Sequence, residues 1–295
     1  DEKIYGDQTV SRSYREILSY GKESPINDYK VVTLNISEEE IKEFWMKNSY
    51  VRVSKKENIP ESEIRQLSVA LLQKKLHEKH GVRLSISFHS SLKRARDQKK
   101  IIDSLNKNYI DYPQLNSFYI EGSQNSSDKK AIINDFSNTK QGIITNARCL
   151  TEGVNITSVD CVIFSDPKKS TIDIVQATGR ALRKARPFIP RPNMNKEIGI
   201  IFIPLIIPED SNIEDLKQTE SYKKVIDVIR SLATQDERIV EYFNIRSKGG
   251  DPGRDIIEFD DESPTEAISI QELNNSLDFE IYKPTSRLNI YRSYE

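Results

Sequence analysis

Gln176, Gly179, Arg180 and Arg183 fall within one short run, Gln176-Ala177-Thr178-Gly179-Arg180-Ala181-Leu182-Arg183. If the run is helical, Gln176, Arg180 and Arg183 share one face, because their spacings are four and three. Two guanidinium forks aimed the same way suit a polyphosphate and can neutralise the charge that develops during phosphoryl transfer. Gly179 leaves room for a close backbone approach. A solvated helix face would present the same arginines without any chemistry, so the reading depends on the elements around them.

Those elements are legible upstream. Gly142-Ile143-Ile144-Thr145-Asn146 begins as the short apolar run of a strand buried on both faces of a parallel sheet. It then breaks into small and polar residues through Gly153 and Asn155. Ligands of open α/β sheets bind outside the carboxyl ends of strands, which is where Thr145 and Asn146 fall. Val159 to Phe164 is a second buried run, followed by Ser165-Asp166-Pro167-Lys168-Lys169-Ser170. Ser170 or Thr171 could cap the arginine helix, with Asp173 in its first turn. Earlier, Leu84 to Ser91 alternates apolar and polar residues as a strand does, then meets Lys93-Arg94-Ala95-Arg96-Asp97-Gln98-Lys99-Lys100. Ser90, Ser91 and Arg94 could track a phosphate backbone there. The basic run reads equally as a solvated face, and His89 equally as a satisfied, partly buried histidine.

Taken in chain order, Leu84 to Lys100, Gly142 to Asn155 and Gln176 to Arg183 resemble motifs IV, V and VI of superfamily 2 helicases and translocases. The wording Asn146-Ala147-Arg148-Cys149-Leu150-Thr151-Glu152-Gly153-Val154-Asn155, then Asp166-Pro167-Lys168-Lys169-Ser170, then Ile174 to Arg183, is most similar to bacterial helicases related to restriction-enzyme motor subunits. The resemblance covers roughly residues 1–210. It implies a RecA-like α/β fold that binds ATP with Mg2+ in the cleft between this domain and a first RecA-like domain of the same full-length chain. Arg180 and Arg183 would then face the γ-phosphate, and Gln176 would orient the attacking water. Gly153, Asn155 and Gly179 would lie by the nucleotide, and Ser90, Arg94, Thr145 and Asn146 by the nucleic-acid backbone. The family usually carries Asp where this chain has Asn155, which can still accept a hydrogen bond from a ribose hydroxyl but bears no charge. The resemblance points to DNA rather than RNA, to DNA processing or restriction-modification, and to the cytoplasm.

No G-x-x-x-x-G-K-[ST] loop and no D-E-x-[DH] box occur in the chain. A second motor domain without them is expected to be inactive alone, and the start at Asp1 fits a piece of a longer protein. A different class of protein, a non-catalytic nucleic-acid-binding or assembly module that keeps the fold, would also lack them.

The 295 residues suit one large α/β domain with appendages, or two domains. Residues 1–35 read as the end of a first motor domain or a linker, and 36–210 as the second RecA-like domain. Residues 211–295 read as a helical and irregular extension. Between residues 81 and 207 strands alternate with helices, which argues for a parallel sheet with helices on both faces. The pattern predicts strands at 83–88, 117–121, 142–145, 159–164 and 198–206, and helices at 92–107, 127–137 and 171–184. Residues 37–80 read as helical with Ser37 as cap, Tyr222 to Phe243 as one or two amphipathic helices, and the acid-rich 255–266 as solvated. A net charge of −1 means that any nucleic-acid site must be a local feature. Two cysteines and three histidines without ligand spacing predict buried thiols and no metal site. No apolar run is long enough to span a bilayer, so no membrane partner is expected.

Overall fold

The structure, a computed structural model, describes residues 14–24, 26–147, 159–166, 170–181, 198–209, 212–259 and 270–277. The first third holds α1 (Tyr14–Ser19), β1 (Asp28–Thr33), β2 (Asn35–Ser37), α2 (Glu38–Lys47), α3 (Glu61–His80) and β3 (Leu84–Phe88). Then come α4 (Leu92–Asn108), β4 (Asn116–Ile120), α5 (Ser126–Asn138), β5 (Gly142–Asn146), β6 (Cys161–Phe164) and α6 (Thr171–Ala181). The last third holds β7 (Ile198–Phe202), β8 (Leu205–Ile207), α7 (Ile213–Gln218), α8 (Glu220–Ala233), α9 (Glu237–Arg246), β9 (Ile257–Phe259) and α10 (Ile270–Leu277).

Seven strands form one sheet in the order β4-β5-β3-β6-β7-β1-β9, and every pairing is parallel. Side chains alternate between its faces. Leu84, Ile86, Phe88, Ile144, Val162 and Phe164 join one core with Phe136 of α5, Ile174 of α6 and the buried face of α8. Ile143, Cys161, Ile163 and Phe202 join the opposite core with Trp45 of α2, Leu72 of α3 and Ile101 of α4. The predicted parallel sheet with helices on both faces is therefore present. It takes strands from all three sequence segments, since β1 precedes residue 36 and β9 follows residue 211.

Local chemistry sets the element boundaries. Ser37 caps α2 through a capping box: its Oγ accepts from Glu40 N at 3.1 Å, and Ser37 N donates to Glu40 Oε2 at 2.8 Å. The helical stretch expected over 37–80 is split, with a 3-10 turn at Ser49–Val51 and Pro60 standing at the N-cap of α3. α3 ends at Gly81, whose φ of 62° is the left-handed conformation that suits glycine. The strand expected over 198–206 is also split. Pro204 has no N–H to give the ladder, and the chain passes from pairing with β1 to pairing β8 with β2.

The tail differs from its sequence reading. Part of the acid-rich 255–266 is β9, an edge strand on β1, and Glu258 there pairs with Lys30 at 2.5 Å. α10 docks on α8, where Arg230 Nη2 donates to Ser276 O at 2.6 Å. Cys161 is fully buried. No described helix is long and apolar enough to cross a membrane.

Candidate functional site at the carboxyl edge of the sheet

Parallel strands put all their carboxyl ends on one edge. β3 sits between β5 and β6. The chain leaves β3 through α4, on one face, and leaves β6 towards α6, on the other. Adjacent strands whose following helices diverge to opposite faces open a crevice, the usual ligand site of such sheets.

Asp166, just past β6, occupies this position and is 3% exposed. Its Oδ2 accepts from Ser90 N at 2.9 Å and from Ser90 Oγ at 3.2 Å, and its Oδ1 accepts from Arg94 Nη1 at 2.9 Å. The same Arg94 nitrogen donates to Ser90 Oγ at 2.9 Å. Two of the expected nucleic-acid residues, Ser90 and Arg94, are thus joined to each other through a carboxylate. Ser91 caps α4 by accepting from Arg94 N at 3.2 Å, and Gln66 Nε2 of α3 donates to Arg94 O at 2.9 Å. About a third of the Arg94 side chain, 32%, stays exposed.

Two further cationic side chains lie near Asp166. Arg65 Nη1 lies 3.8 Å from Asp166 Oδ1, and Arg65 also pairs with Glu61 and Glu220. Lys224 of α8 is 4% exposed, and its Nζ donates to Ser165 O at 3.4 Å. Burial pushes the Lys224 ammonium down to about 7, against the pull of Asp166. Burial also pushes the Asp166 carboxyl up, but His89, the Ser90 amide and Arg94 outweigh it and leave the group below its ordinary range.

His89 resolves to the buried alternative. Its Nε2 lies 3.0 Å from Ser87 Oγ, which in turn lies 2.5 Å from Ser165 Oγ. Burial lowers its pKa to about 4, so the ring is neutral at neutral pH. The serines of the alternating β3 pattern are buried as well, and Gln73 Nε2 donates to Ser85 Oγ at 2.8 Å.

Thr145 and Asn146 sit at the end of β5 as the sequence places them, but both side chains are fully buried. β5 is an inner strand covered on both faces. Thr145 Oγ1 donates to Phe118 O at 3.2 Å, and Asn146 Nδ2 donates to Ser87 O at 3.2 Å. Asn146 Oδ1 has no hydrogen-bond partner among the described residues. Asn146 O accepts from His89 N at 2.9 Å, which ties the two strand ends together.

α6 begins as expected, with Ser170 Oγ accepting from Asp173 N at 3.3 Å. Ile174 and Ala177 face the core, while Gln176 is exposed. Thr178 is buried and donates to Ile174 O at 2.6 Å. Among the described residues, a Cβ built on Gly179 would meet nothing within 4 Å. Arg180 lies in the last turn of α6. Arg183, Gly153 and Asn155 lie outside the described residues.

Sequence reading gave no role to Asp166, Lys224 or Arg65. Asp166 had a detectable signal, a lone acid directly after a buried strand run. Lys224 had a fainter one, since it stands four and seven residues before Val228 and Ser231 on a buried helix face.

Residues 64–185 match the family described as the helicase conserved C-terminal domain. The chain is 23% identical over 204 residues to a Saccharomyces cerevisiae protein named "Putative ATP-dependent helicase IRC3"; the match covers 63% of this chain and 29% of the yeast protein. It superposes with a TM-score of 0.68, at 21% identity, on the ATP-dependent Type ISP restriction-modification enzyme LlaBIII bound to DNA. That superposition covers 96% of this chain and 18% of the restriction enzyme's, so this chain spans under a third of either relative. The matched segment runs from α3 through α6 and contains Ser90, Arg94 and Asp166; it is similar to helicase C-terminal domains, and the seven-stranded parallel sheet has the RecA-like fold.

Proposed function

We propose that this chain supplies the second RecA-like half of an ATP-dependent DNA helicase or translocase. The observation that carries the reading is the convergence of two motifs at one switch point of the sheet. Ser90 and the first turn of α4 with Arg94 follow β3, and the helix with Gln176, Gly179 and Arg180 follows the adjacent β6. Ser90 and the exposed part of Arg94 grip nucleic-acid backbone, with Thr145 and Asn146 bracing the strand ends beneath them. The exposed Gln176, with space at Gly179 among the described residues, fits a nucleotide phosphate. In this reading Arg180 and Arg183 answer the charge on the γ-phosphate, and Gln176 holds the attacking water. Gly153 and Asn155 lie beside the ribose and phosphates.

ATP supplies the phosphoryl group when bound, and Mg2+ with most of the ATP contacts belongs to a first motor half. Closure of the cleft around the nucleotide and its reopening would step the protein along DNA. The DNA-bound restriction enzyme that shares the fold supports DNA as the nucleic acid and a restriction-modification setting. The reading is tested by Arg180→Ala in the full-length protein. Loss of an arginine that meets the γ-phosphate costs roughly 10³-fold or more in ATP hydrolysis. Unchanged hydrolysis would remove Arg180 from the nucleotide site, and DNA binding without any hydrolysis in the parent protein would favour the non-catalytic nucleic-acid-binding module.

A further inference from the structure

The sequence divides this chain into a motor domain and an extension, yet the crevice is built from both. Asp166 contacts Ser90 and Arg94 from the motor sheet, and Lys224 from α8 holds the carbonyl of the residue just before it. We propose that Asp166 is a positioning residue that aims Arg94 and Ser90 at the nucleic-acid backbone, and that Lys224 makes the C-terminal extension a working part of that site. The proposal rests on the reading above that Arg94 meets backbone phosphate.

The geometry gives each group one task. An arginine with four rotatable side-chain bonds grips a phosphate weakly if it must first be ordered, because fixing a long side chain costs conformational entropy. Asp166 meets that cost in advance. It holds one Arg94 nitrogen at 2.9 Å while the side chain remains 32% exposed. It also fixes the Ser90 backbone at 2.9 Å, which sets the start of the loop that leads to the Ser91 cap. Asp166 itself sits on a turn, not in a strand, and therefore needs its own support. Lys224 supplies it by donating to Ser165 O, a bond an amine makes whether or not it is protonated. Arg65 adds a cation at 3.8 Å and is in turn paired to Glu220, the first residue of α8. The motor sheet and the extension thus meet through both Lys224 and Glu220.

A double-mutant cycle separates aiming from mere support of the fold. The full-length protein and its Asp166→Asn, Arg94→Gln and doubly substituted variants are titrated against a fluorescein-labelled double-stranded oligonucleotide, with thermal melting as a folding control. Asp166→Asn is expected to weaken binding roughly five- to tenfold, and to have little further effect once Arg94 is Gln. Lys224→Met is expected to weaken it about threefold, with little added to Asp166→Asn. Should Asp166→Asn not fold, Asp166→Asn/Lys224→Met removes one charge of each sign and replaces it in the cycle. Additive losses, or unchanged binding in Asp166→Asn, would overturn the positioning role while leaving Arg94 as a contact. Unchanged binding in Arg94→Gln would overturn both the contact and the proposal.

Discussion

The Asp166 carboxylate and the Arg94 guanidinium meet at 2.9 Å across the ends of two adjacent strands, β6 and β3. They are 72 residues apart in the chain, and each belongs to a different sequence motif. The pair joins the first turn of α4, which follows β3, to the segment that follows β6.

If Arg94 meets a backbone phosphate, its removal has a signature in salt as well as in affinity. Arg94→Ala should weaken DNA binding across all sequences and reduce the slope of log affinity against log salt by about 1. Binding isotherms at several salt concentrations measure this. An unaltered slope would remove Arg94 from the interface.

Lys224 makes stability depend on alkaline pH. Its folded value of about 7 lies below the ordinary 10.5, so between those values the unfolded chain binds more protons than the folded one. Stability therefore rises as pH increases from about 7 towards 10.5, by up to about 1.4 kcal/mol per pH unit. Urea unfolding at pH 7 and pH 9 should show this rise in the parent protein and a flatter response in Lys224→Met. Equal responses would contradict the buried placement of the amine.

His89 acts in the same sense at acid pH. Burial lowers it from 6.5 to about 4, so the unfolded state takes up more protons across that window and stability falls as pH drops through it. Asp166, held below its ordinary 3.8, extends the loss further down. His89→Gln should flatten the decline between pH 6.5 and 4. Chemical unfolding across that range is the check, and an unchanged decline would show that His89 does not cause it.

Gly142 is required by space. A Cβ at this first residue of β5 would lie 2.8 Å from Thr139 Cγ2 and 3.1 Å from the Asn116 carbonyl oxygen. The carbonyl is backbone of the neighbouring strand and cannot swing away. Gly142→Ala should cost about 1–3 kcal/mol, read as a lower urea midpoint. A midpoint equal to the parent's would mean that the strand can shift to make room.

Much of this was legible in the chain. Ile143-Ile144 and Val162-Ile163-Phe164 announce buried strands because both faces of an inner parallel strand need apolar side chains. Ser37 and Ser170 announce helix starts because a hydroxyl must meet a free amide there. Other features depend on contacts between distant segments. Local pattern marks Thr145 and Asn146 as strand-end polar residues but does not show that neighbours cover them. The acid content around Glu258 suggests solvent, yet Lys30 from β1 neutralises it and an edge strand forms. The role of Lys224 was hidden for the same reason, since its partner, Ser165, is 59 residues away.

The central claim is that these residues are half of an ATP-driven motor. The most direct measurement is ATP hydrolysis by the full-length protein with and without double-stranded DNA, beside the Arg180→Ala/Arg183→Ala variant. The account predicts strong stimulation by DNA and its loss in the variant. DNA binding without hydrolysis, or stimulated hydrolysis that survives the loss of both arginines, would contradict it.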